Sequence, residues 1–285
     1  MSKFFNETQK AQDWSALDSK SKKLDLSSVM EAIQEPLGLL KQAKENGLAN
    51  CRKIRLPESS ESPALYSRND FTGVAAESYR TLRTRLLRMQ SQRGMRSIVV
   101  SSAVPGEGKS ITTLNLAICC SQLPNLRLLA VDGDLRTGGL SSLLSHLPSP
   151  GLGEILAGEA SYEAAVLATD IPNFYVLGAG AAITPASGLF EGERLKGFID
   201  WATENFDLIL VDSPPMLPLA DFEQIAAACD GILIVVRALH AQRDSLNKAS
   251  RMVDAKKLVG VVLNASPLNL KDVAYNYYGG YSSKG

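Results

Sequence analysis

Residues 97–110 read Ser97-Ile98-Val99-Val100-Ser101-Ser102-Ala103-Val104-Pro105-Gly106-Glu107-Gly108-Lys109-Ser110, and a helical pattern begins at Ile111. An apolar run that leads into a glycine-rich turn and then a helix is the pattern of a phosphate-binding P-loop. The glycines let backbone N–H groups turn toward a phosphate, Lys109 reaches phosphate oxygens, and Ser110 can ligate Mg²⁺. A turn without a ligand would account for the glycines, but not for Gly-Lys-Ser in register with a strand. The sequence therefore predicts a nucleotide site built by Gly106, Glu107, Gly108, Lys109, Ser110 and Ile111.

Apolar strand-like runs alternate with helical patterns through most of the chain. The predicted strands are residues 97–101, 126–131, 173–177, 208–211, 231–236 and 258–263, and the predicted helices are residues 74–92, 109–122, 189–205, 221–228 and 241–255. Because the strands are apolar on both faces, the pattern predicts an α/β fold with a mostly parallel, doubly wound sheet of the P-loop NTPase type. Such sheets bind ligands beyond the carboxyl ends of their strands, so chemistry is expected just after Val100, Val131 and Val211.

Carboxylates follow two of these strands. Asp132-Gly133-Asp134-Leu135-Arg136 comes directly after one strand, and Asp212-Ser213-Pro214-Pro215 comes directly after another. Carboxylates gathered beside a bound triphosphate would repel one another without a divalent cation, so the pattern predicts ATP together with Mg²⁺. A single Asp after a strand is more often a helix cap, but three around a P-loop make that interpretation the weaker one.

The composition is that of an ordinary globular protein. Of the 285 residues, 45% are hydrophobic, and thirty basic side chains balance thirty acidic ones. These values exclude disordered, collagen-like and disulfide-scaffold classes, and the neutrality argues against a nucleic-acid partner. Four cysteines without a CxxC pair predict reduced thiols and a cytoplasmic protein. Neither a secretory signal nor a membrane-spanning segment is predicted.

Three segments are predicted along the chain: an amphipathic helical extension with a linker at 1–70, the P-loop domain at 71–270 and a flexible tyrosine-rich tail at 271–285. The extension carries apolar residues at helical spacing from Leu26 to Leu40. Docking on a partner, lying on a membrane and covering its own domain all remain open for it. Four of the eight tyrosines lie in the last eleven residues, where they are available as substrates or dock on a protein surface.

A basic helix precedes the P-loop. Between Ser78 and Val100 there are six arginines and no acidic residue, and Glu77 stands just before them. An apolar stripe at helical spacing leaves Arg80 and Arg83 on other faces. A solvated helix is one interpretation, and association through arginine forks is the other.

Taken together, these motifs resemble those of the bacterial tyrosine kinases, the P-loop family that acts with polysaccharide co-polymerases in capsule and exopolysaccharide export. The resemblance covers about residues 71–285. It rests on the Pro-Gly-Glu-Gly-Lys-Ser loop, Asp132-x-Asp134-x-Arg136, Asp212-x-Pro-Pro, Glu77-x-x-Arg80-x-x-Arg83 and the tyrosine-rich end.

The resemblance implies a role for each matching residue. Lys109 and Ser110 would hold the phosphates and Mg²⁺, and Asp132 would accept the proton of the attacking tyrosine. Asp134 and Asp212 would organise the metal, so the expected catalytic residues are Lys109, Asp132 and Asp134, and the expected metal residues are Ser110, Asp134 and Asp212. Asn264 resembles the adenine-contacting residue of related ATPases, although a turn residue that ends a strand is an equally open interpretation.

The resemblance also implies a function and partners. The chain would be an ATP-dependent tyrosine autokinase that phosphorylates the tails of other copies and regulates polysaccharide export. The expected phosphoacceptors are Tyr275, Tyr277, Tyr278 and Tyr281, and ring-like self-association would involve Glu77, Arg80 and Arg83. The implied partners are the cytoplasmic tail of a membrane co-polymerase and a tyrosine phosphatase, which would place the chain at the inner face of the membrane.

A second family, the partitioning and septum-placement ATPases, shares the sheet and both aspartate motifs. Its members carry an additional lysine early in the P-loop, where this chain has Val104. That difference favours the kinase, and a nucleotide-switched scaffold stays as the alternative. Two departures from the expected patterns are Ala103 in place of the first loop glycine and residues 178–185 in place of a proline-rich loop with Asn-Pro. Neither changes a residue expected to hold phosphate or metal.

Overall fold

A computed structural model describes residues 48, 50–57, 74–181, 188–217 and 220–266. The strands in these residues are β1 Arg52–Ile54, β2 Ser97–Ser102, β3 Leu128–Asp132, β4 Leu167–Thr169, β5 Phe174–Leu177, β6 Leu208–Asp212, β7 Gly231–Arg237 and β8 Leu258–Asn264. The helices are α1 Val74–Arg93, α2 Lys109–Ser121, α3 Gly139–Leu143, α4 Leu152–Ala157, α5 Tyr162–Ala165, α6 Glu193–Asn205, α7 Asp221–Ala228 and α8 Arg243–Arg251.

The eight strands form one sheet in the order β1-β4-β5-β3-β6-β2-β7-β8. Every neighbouring pair is parallel except β4 and β5, which are antiparallel. The predicted mostly parallel α/β fold is therefore confirmed. Because β3, β6 and β2 are adjacent, the carboxyl ends at Asp132, Asp212 and Ser102 meet at one edge of the sheet.

Apolar burial explains why these segments form the centre of the sheet. All residues of β2, β3 and β6 are buried, as expected for parallel strands covered on both faces. Helix α2 is buried from Thr112 to Ser121 and packs Leu114 and Leu116 into the same core. Each fully buried leucine contributes about 1.5–3 kcal/mol, so the core anchors the start of α2 beside the strand ends.

All six predicted strands and all five predicted helices are present, with bounds that differ by a few residues. Prediction missed the short elements β1, β4, α3, α4 and α5, which span three to six residues each. Segments of that length are too short to show a period in the sequence. Strand β1 pairs with β4, so the sheet takes its first strand from upstream of residue 71, where the domain was predicted to begin.

Several predictions concern residues that the structure does not describe. The amphipathic helix around residues 26–40 and the tail with its four tyrosines both lie outside the described residues. All four cysteines are free and buried, which agrees with the predicted reduced thiols. Within the described part of the chain, no helix is both long and apolar enough to cross a lipid bilayer.

Candidate active site

The glycine-rich turn lies where the sequence predicts, between the end of β2 and the start of α2. Gly106 and Gly108 have φ values of 82° and 89°, a left-handed backbone that favours glycine. Gly108 is the N-cap of α2, and no side chain caps the helix. The first N–H groups of a helix have no partner within it, so this end is open to an anion.

The side chain of Glu107 braces the loop from inside. It is fully buried, and its carboxylate accepts hydrogen bonds from the backbone N–H groups of Val104 at 3.0 Å and Arg237 at 3.4 Å. Glu107 is predicted to bind nucleotide, and this contact leaves only its backbone for that role.

Asn264, predicted to contact adenine, lies against the loop. Its Nδ2 donates to the carbonyl of Glu107 at 2.9 Å, and its Oδ1 accepts from the N–H of Ala265 at 2.8 Å. A Cβ added to Gly108 would collide with the Asn264 amide. In this structure Asn264 therefore holds the P-loop, and Gly108 leaves room for that contact.

Two further loop contacts were missed at the sequence level. Nε2 of His240 lies 3.0 Å from the carbonyl oxygen of Pro105, and Nη1 of Arg237 donates to the carbonyl of Gly106 at 3.3 Å. Arg237 ends β7 and His240 follows it in the next turn, and β7 lies beside β2 in the sheet. No local pattern marks them, because their proximity to the loop depends on strand order.

Lys109 lies among most of the residues predicted to bind phosphate and metal. Its Nζ lies 3.2 Å from Asp134 Oδ2, 3.7 Å from Asp212 Oδ1 and 3.4 Å from Ser110 Oγ. Three residues from the first, second and third motifs thus surround the Lys109 ammonium group, as the strand-end argument predicts.

Asp132 is buried and held by donors. Its Oδ2 accepts from both the backbone N–H and the hydroxyl of Ser141 at 2.7 Å, and its Oδ1 accepts from the N–H of Asp134 at 3.2 Å. Burial raises the pKa of Asp132, and these hydrogen bonds offset part of the shift. Ser141, in the short helix α3, was missed because it lies nine positions after Asp132, beyond an irregular segment.

Asp212 lies directly opposite Asp132 in the β3–β6 register and is equally buried. Neither of its oxygens accepts a hydrogen bond from the residues that the structure describes. Burial raises the pKa of Asp212 to about 7, and the nearby Lys109 ammonium and Ser110 hydroxyl offset only part of that shift. A buried carboxylate without donors is costly unless a cation completes its surroundings.

This arrangement fits Mg²⁺. The ion prefers oxygen ligands and usually takes only one or two carboxylates from the protein, with phosphate and water completing its shell. Asp212 offers a carboxylate whose oxygens accept no hydrogen bond from the described residues, with Lys109, Ser110 and Asp134 close by. Within the described residues, no group of three His, Cys, Asp or Glu side chains forms a metal site by itself.

The residues of the basic helix α1 that are predicted to mediate self-association make two different kinds of contact. Glu77 and Arg80 form an ion pair of 2.7 Å near the surface. Arg83 donates to the carbonyl of Cys119 at 2.7 Å, close to the end of α2. Arg83 thus fixes α1 against α2, while Glu77 stays exposed.

A P-loop at the carboxyl edge of a parallel sheet, with aspartates on the next two strands, defines a P-loop nucleotide-binding domain. The family model of the AAA domain matches residues 95–259. Tyrosine-protein kinase YwqD of Bacillus subtilis (strain 168) is 31% identical over 206 residues, which make up 72% of this chain and 86% of that protein. The chain belongs to the bacterial tyrosine kinase family.

Other similarities extend this result. The solved BceF tyrosine kinase domain is 28% identical with a TM-score of 0.63, over 82% of this chain and 90% of that chain. The septum site-determining protein MinD with Mg-ADP from Pyrococcus horikoshii OT3 is 26% identical with a TM-score of 0.51, over 60% of this chain and 72% of that chain. The succinoglycan biosynthesis transport protein ExoP of Rhizobium meliloti (strain 1021) is 31% identical over 68% of this chain, which spans only 25% of ExoP.

Proposed function

We propose that the chain is an ATP-dependent protein-tyrosine autokinase whose phosphoacceptors are Tyr275, Tyr277, Tyr278 and Tyr281 of another copy. The observation that carries the proposal is the pair of opposed, buried aspartates beside the P-loop lysine, one held by donors and one without them. Phosphoryl transfer needs charge neutralisation and one proton acceptor, and this pair divides those two tasks.

In the proposed reaction, Asp132 accepts the proton of a tyrosine hydroxyl as its oxygen bonds to the γ-phosphorus and the bond from the γ-phosphorus to the bridging oxygen breaks, releasing ADP. A carboxylate has about four lone-pair positions, and Asp132 uses three in the described contacts, so one remains for the hydroxyl. The raised pKa of Asp132 favours proton acceptance. Lys109 lies where it would exchange its carboxylate contacts for phosphate oxygens. Bound Mg²⁺, held by Ser110, Asp134 and Asp212, would neutralise phosphate charge.

The proposed setting is polysaccharide production. ExoP is named for succinoglycan biosynthesis and transport, and similarity to it supports a role beside a membrane polysaccharide co-polymerase. In this proposal the chain lies at the cytoplasmic face of the membrane through that partner, and a tyrosine phosphatase resets the tail. Phosphorylated tails would repel one another and weaken contacts between copies.

Self-association belongs to the same proposal. Glu77, Arg80 and Arg83 of α1 are the residues proposed to contact a second copy. Changing Arg83 would also disturb the contact between α1 and α2, because its guanidinium donates to Cys119. Glu77→Ala leaves that contact intact and is the variant to use when oligomer mass is measured.

The experiment that tests the kinase activity incubates the full chain with Mg-ATP and locates phosphate by mass spectrometry. We expect phosphate on the four tail tyrosines, its loss in Lys109→Met, and a decrease of about 10²- to 10⁴-fold in Asp132→Asn. Asp244→Asn, at an exposed position of α8, is the matched control. A chain with all four tyrosines changed to Phe should still phosphorylate the tail of Lys109→Met, which separates transfer between copies from transfer within one. ATP hydrolysis with an unmodified tail would contradict the proposal and favour the nucleotide-switched scaffold.

A further inference from the structure

Three consecutive carbonyls of the P-loop each accept a hydrogen bond from a side chain of another element. His240 binds the carbonyl of Pro105, Arg237 binds that of Gly106, and Asn264 binds that of Glu107, at 3.0, 3.3 and 2.9 Å. We call Arg237, His240 and Asn264 the loop clamp. A carbonyl can only accept, so His240 contributes Nε2 as a donor in this contact.

The sheet topology sets the position of the loop clamp. Arg237 and Asn264 are direct partners at the ends of the parallel strands β7 and β8. Their backbones continue the ladder beyond the strands, where the N–H of Ala238 donates to the carbonyl of Asn264 at 2.9 Å. A tight turn with Leu239 at a φ of 58° then brings His240 back toward Pro105. A left-handed leucine is unfavourable, so the fold retains the turn against its intrinsic preference.

The contacts of the loop clamp are complementary to phosphate binding. Carbonyl oxygens would repel an anion, and the loop clamp engages the carbonyls of three successive residues. Meanwhile the first N–H groups of α2 remain without a partner inside the helix. Gly106 and Gly108 make the loop intrinsically adaptable, and fixing an adaptable loop before binding removes an ordering cost from the binding step.

We propose that Arg237 and His240 are positioning residues that act with Asn264 to hold the P-loop in its nucleotide-binding conformation. This inference rests on the nucleotide site of the proposed function. It assigns a role to two residues outside the predicted motifs and gives Asn264 a contact that does not depend on the base. It also predicts that the loop clamp affects binding of the phosphates more than folding, because Arg237 and His240 are exposed.

The test measures the Kd for Mg-ATP by calorimetry and the melting temperature without nucleotide. Removing one hydrogen bond in His240→Ala or in Arg237→Ala should raise the Kd about threefold to tenfold, with little change in the melting temperature. His240→Gln restores a donor near the position of Nε2 and should recover most of the affinity. Arg243→Ala is the matched control for Arg237→Ala. Arg243 is an exposed arginine six residues after Arg237, and its substitution removes the same charge.

The outcomes separate the loop clamp from the function on which it rests. If the unmodified chain binds no Mg-ATP, and Lys109→Met therefore changes nothing, the nucleotide site itself is wrong. If the unmodified chain binds Mg-ATP but Arg237→Ala and His240→Ala bind it equally well, the loop clamp has no positioning role. A loss of affinity in His240→Ala that His240→Gln fails to recover, or an equal loss in Arg243→Ala, would also overturn the inference.

Discussion

The strand ends of β3 and β6 place two aspartates side by side with the same burial and opposite surroundings. Asp132 accepts three hydrogen bonds from Ser141 and Asp134, whereas Asp212 accepts none from the described residues. Burial raises the pKa of both carboxyls, at Asp212 to about 7, and the hydrogen bonds to Asp132 offset part of its shift. Burial alone therefore does not distinguish the two sites, and the supply of donors does.

This difference shows which of the two carboxylates the protein stabilises without a ligand. Donors around Asp132 stabilise its charge, so its position is fixed before any ligand arrives. Asp212 has the Lys109 ammonium at 3.7 Å as its principal favourable charge. Leaving a buried carboxylate in that state costs several kcal/mol, and a bound cation would recover this energy only when the nucleotide site is filled.

The largest expected effect follows from Asp212, whose buried carboxylate accepts no hydrogen bond from the described residues. The pKa of Asp212 is about 7 in the folded chain and about 3.9 when unfolded, so the folded state binds more protons between these values. Stability from this group is therefore fully present below about pH 4 and is lost as the pH rises through about 7. Asp212→Asn should lack this loss, which amounts to roughly 4 kcal/mol at most. Urea unfolding of the nucleotide-free chain at about pH 5 and pH 8 captures about 2.6 kcal/mol of it.

The direction in which the stability difference between the two chains changes with pH decides this test. The stability of Asp212→Asn relative to the unmodified chain should increase with pH, because only the unmodified chain has an ionisable carboxyl at position 212. Asp200→Asn, which alters an exposed carboxylate of α6, is the control and should leave the pH dependence nearly unchanged. A relative stability of Asp212→Asn that stays flat or falls toward high pH would mean that Asp212 has a partner in solution.

An intermediate effect is expected when Asp132 loses one of its donors. Ser141→Ala removes a buried, charge-assisted hydrogen bond of 2.7 Å and should lower the free energy of unfolding by about 2 kcal/mol. The Ser141 hydroxyl also accepts from the N–H of Ala179 at 3.0 Å, so the variant leaves a second group unsatisfied. Ser142→Ala, at the next and exposed position of α3, should change stability by less than about 0.5 kcal/mol. Equal effects of the two variants in chemical unfolding would remove the distinction between Asp132 and Asp212.

The sequence predicts the parts of this site that depend on local order. Apolar runs mark the central strands, and an acidic residue that ends a buried strand must lie at the carboxyl edge of the sheet. Lys109, Asp134 and Asp212 are brought together for that reason, and their proximity followed from the motifs alone.

The missing parts depend on contacts between distant segments. Ser141 reaches Asp132 only because the short helix α3 turns back over the strand ends, and Arg237 and His240 reach the P-loop only because β7 lies beside β2. No period or motif in the sequence marks either of these contacts. Strand β1 was missed for a related reason, because three residues at a sheet edge carry no alternation.

The smallest expected effect comes from two adjacent glycines, of which Gly138 lies near Asp132 and Gly139 lies near Asp212. Gly138 has a φ of 56°, and a Cβ there would lie 3.8 Å from Oδ2 of Asp132 with room to spare. Gly138→Ala should therefore lower stability by about 1–2 kcal/mol through backbone strain, without weakening Mg-ATP binding. A Cβ on Gly139 would lie 2.6 Å from Ser110 Oγ and 3.6 Å from Oδ2 of Asp212.

Gly139→Ala should therefore weaken the binding of Mg-ATP and leave stability unchanged. Alanine is favoured over glycine in a helix, so stability should be retained, but the Ser110 hydroxyl must turn away from the position in which it would ligate Mg²⁺. The affinity for Mg-ATP should fall about threefold to tenfold, which calorimetry resolves. Because the two glycines are neighbours in one chain segment, a general disturbance of α3 would affect both variants alike. Loss of stability in one and loss of metal-dependent binding in the other would show that the Asp132 and Asp212 sites respond independently, and the reverse pattern would contradict the assignment of Ser110 and Asp212 to the metal.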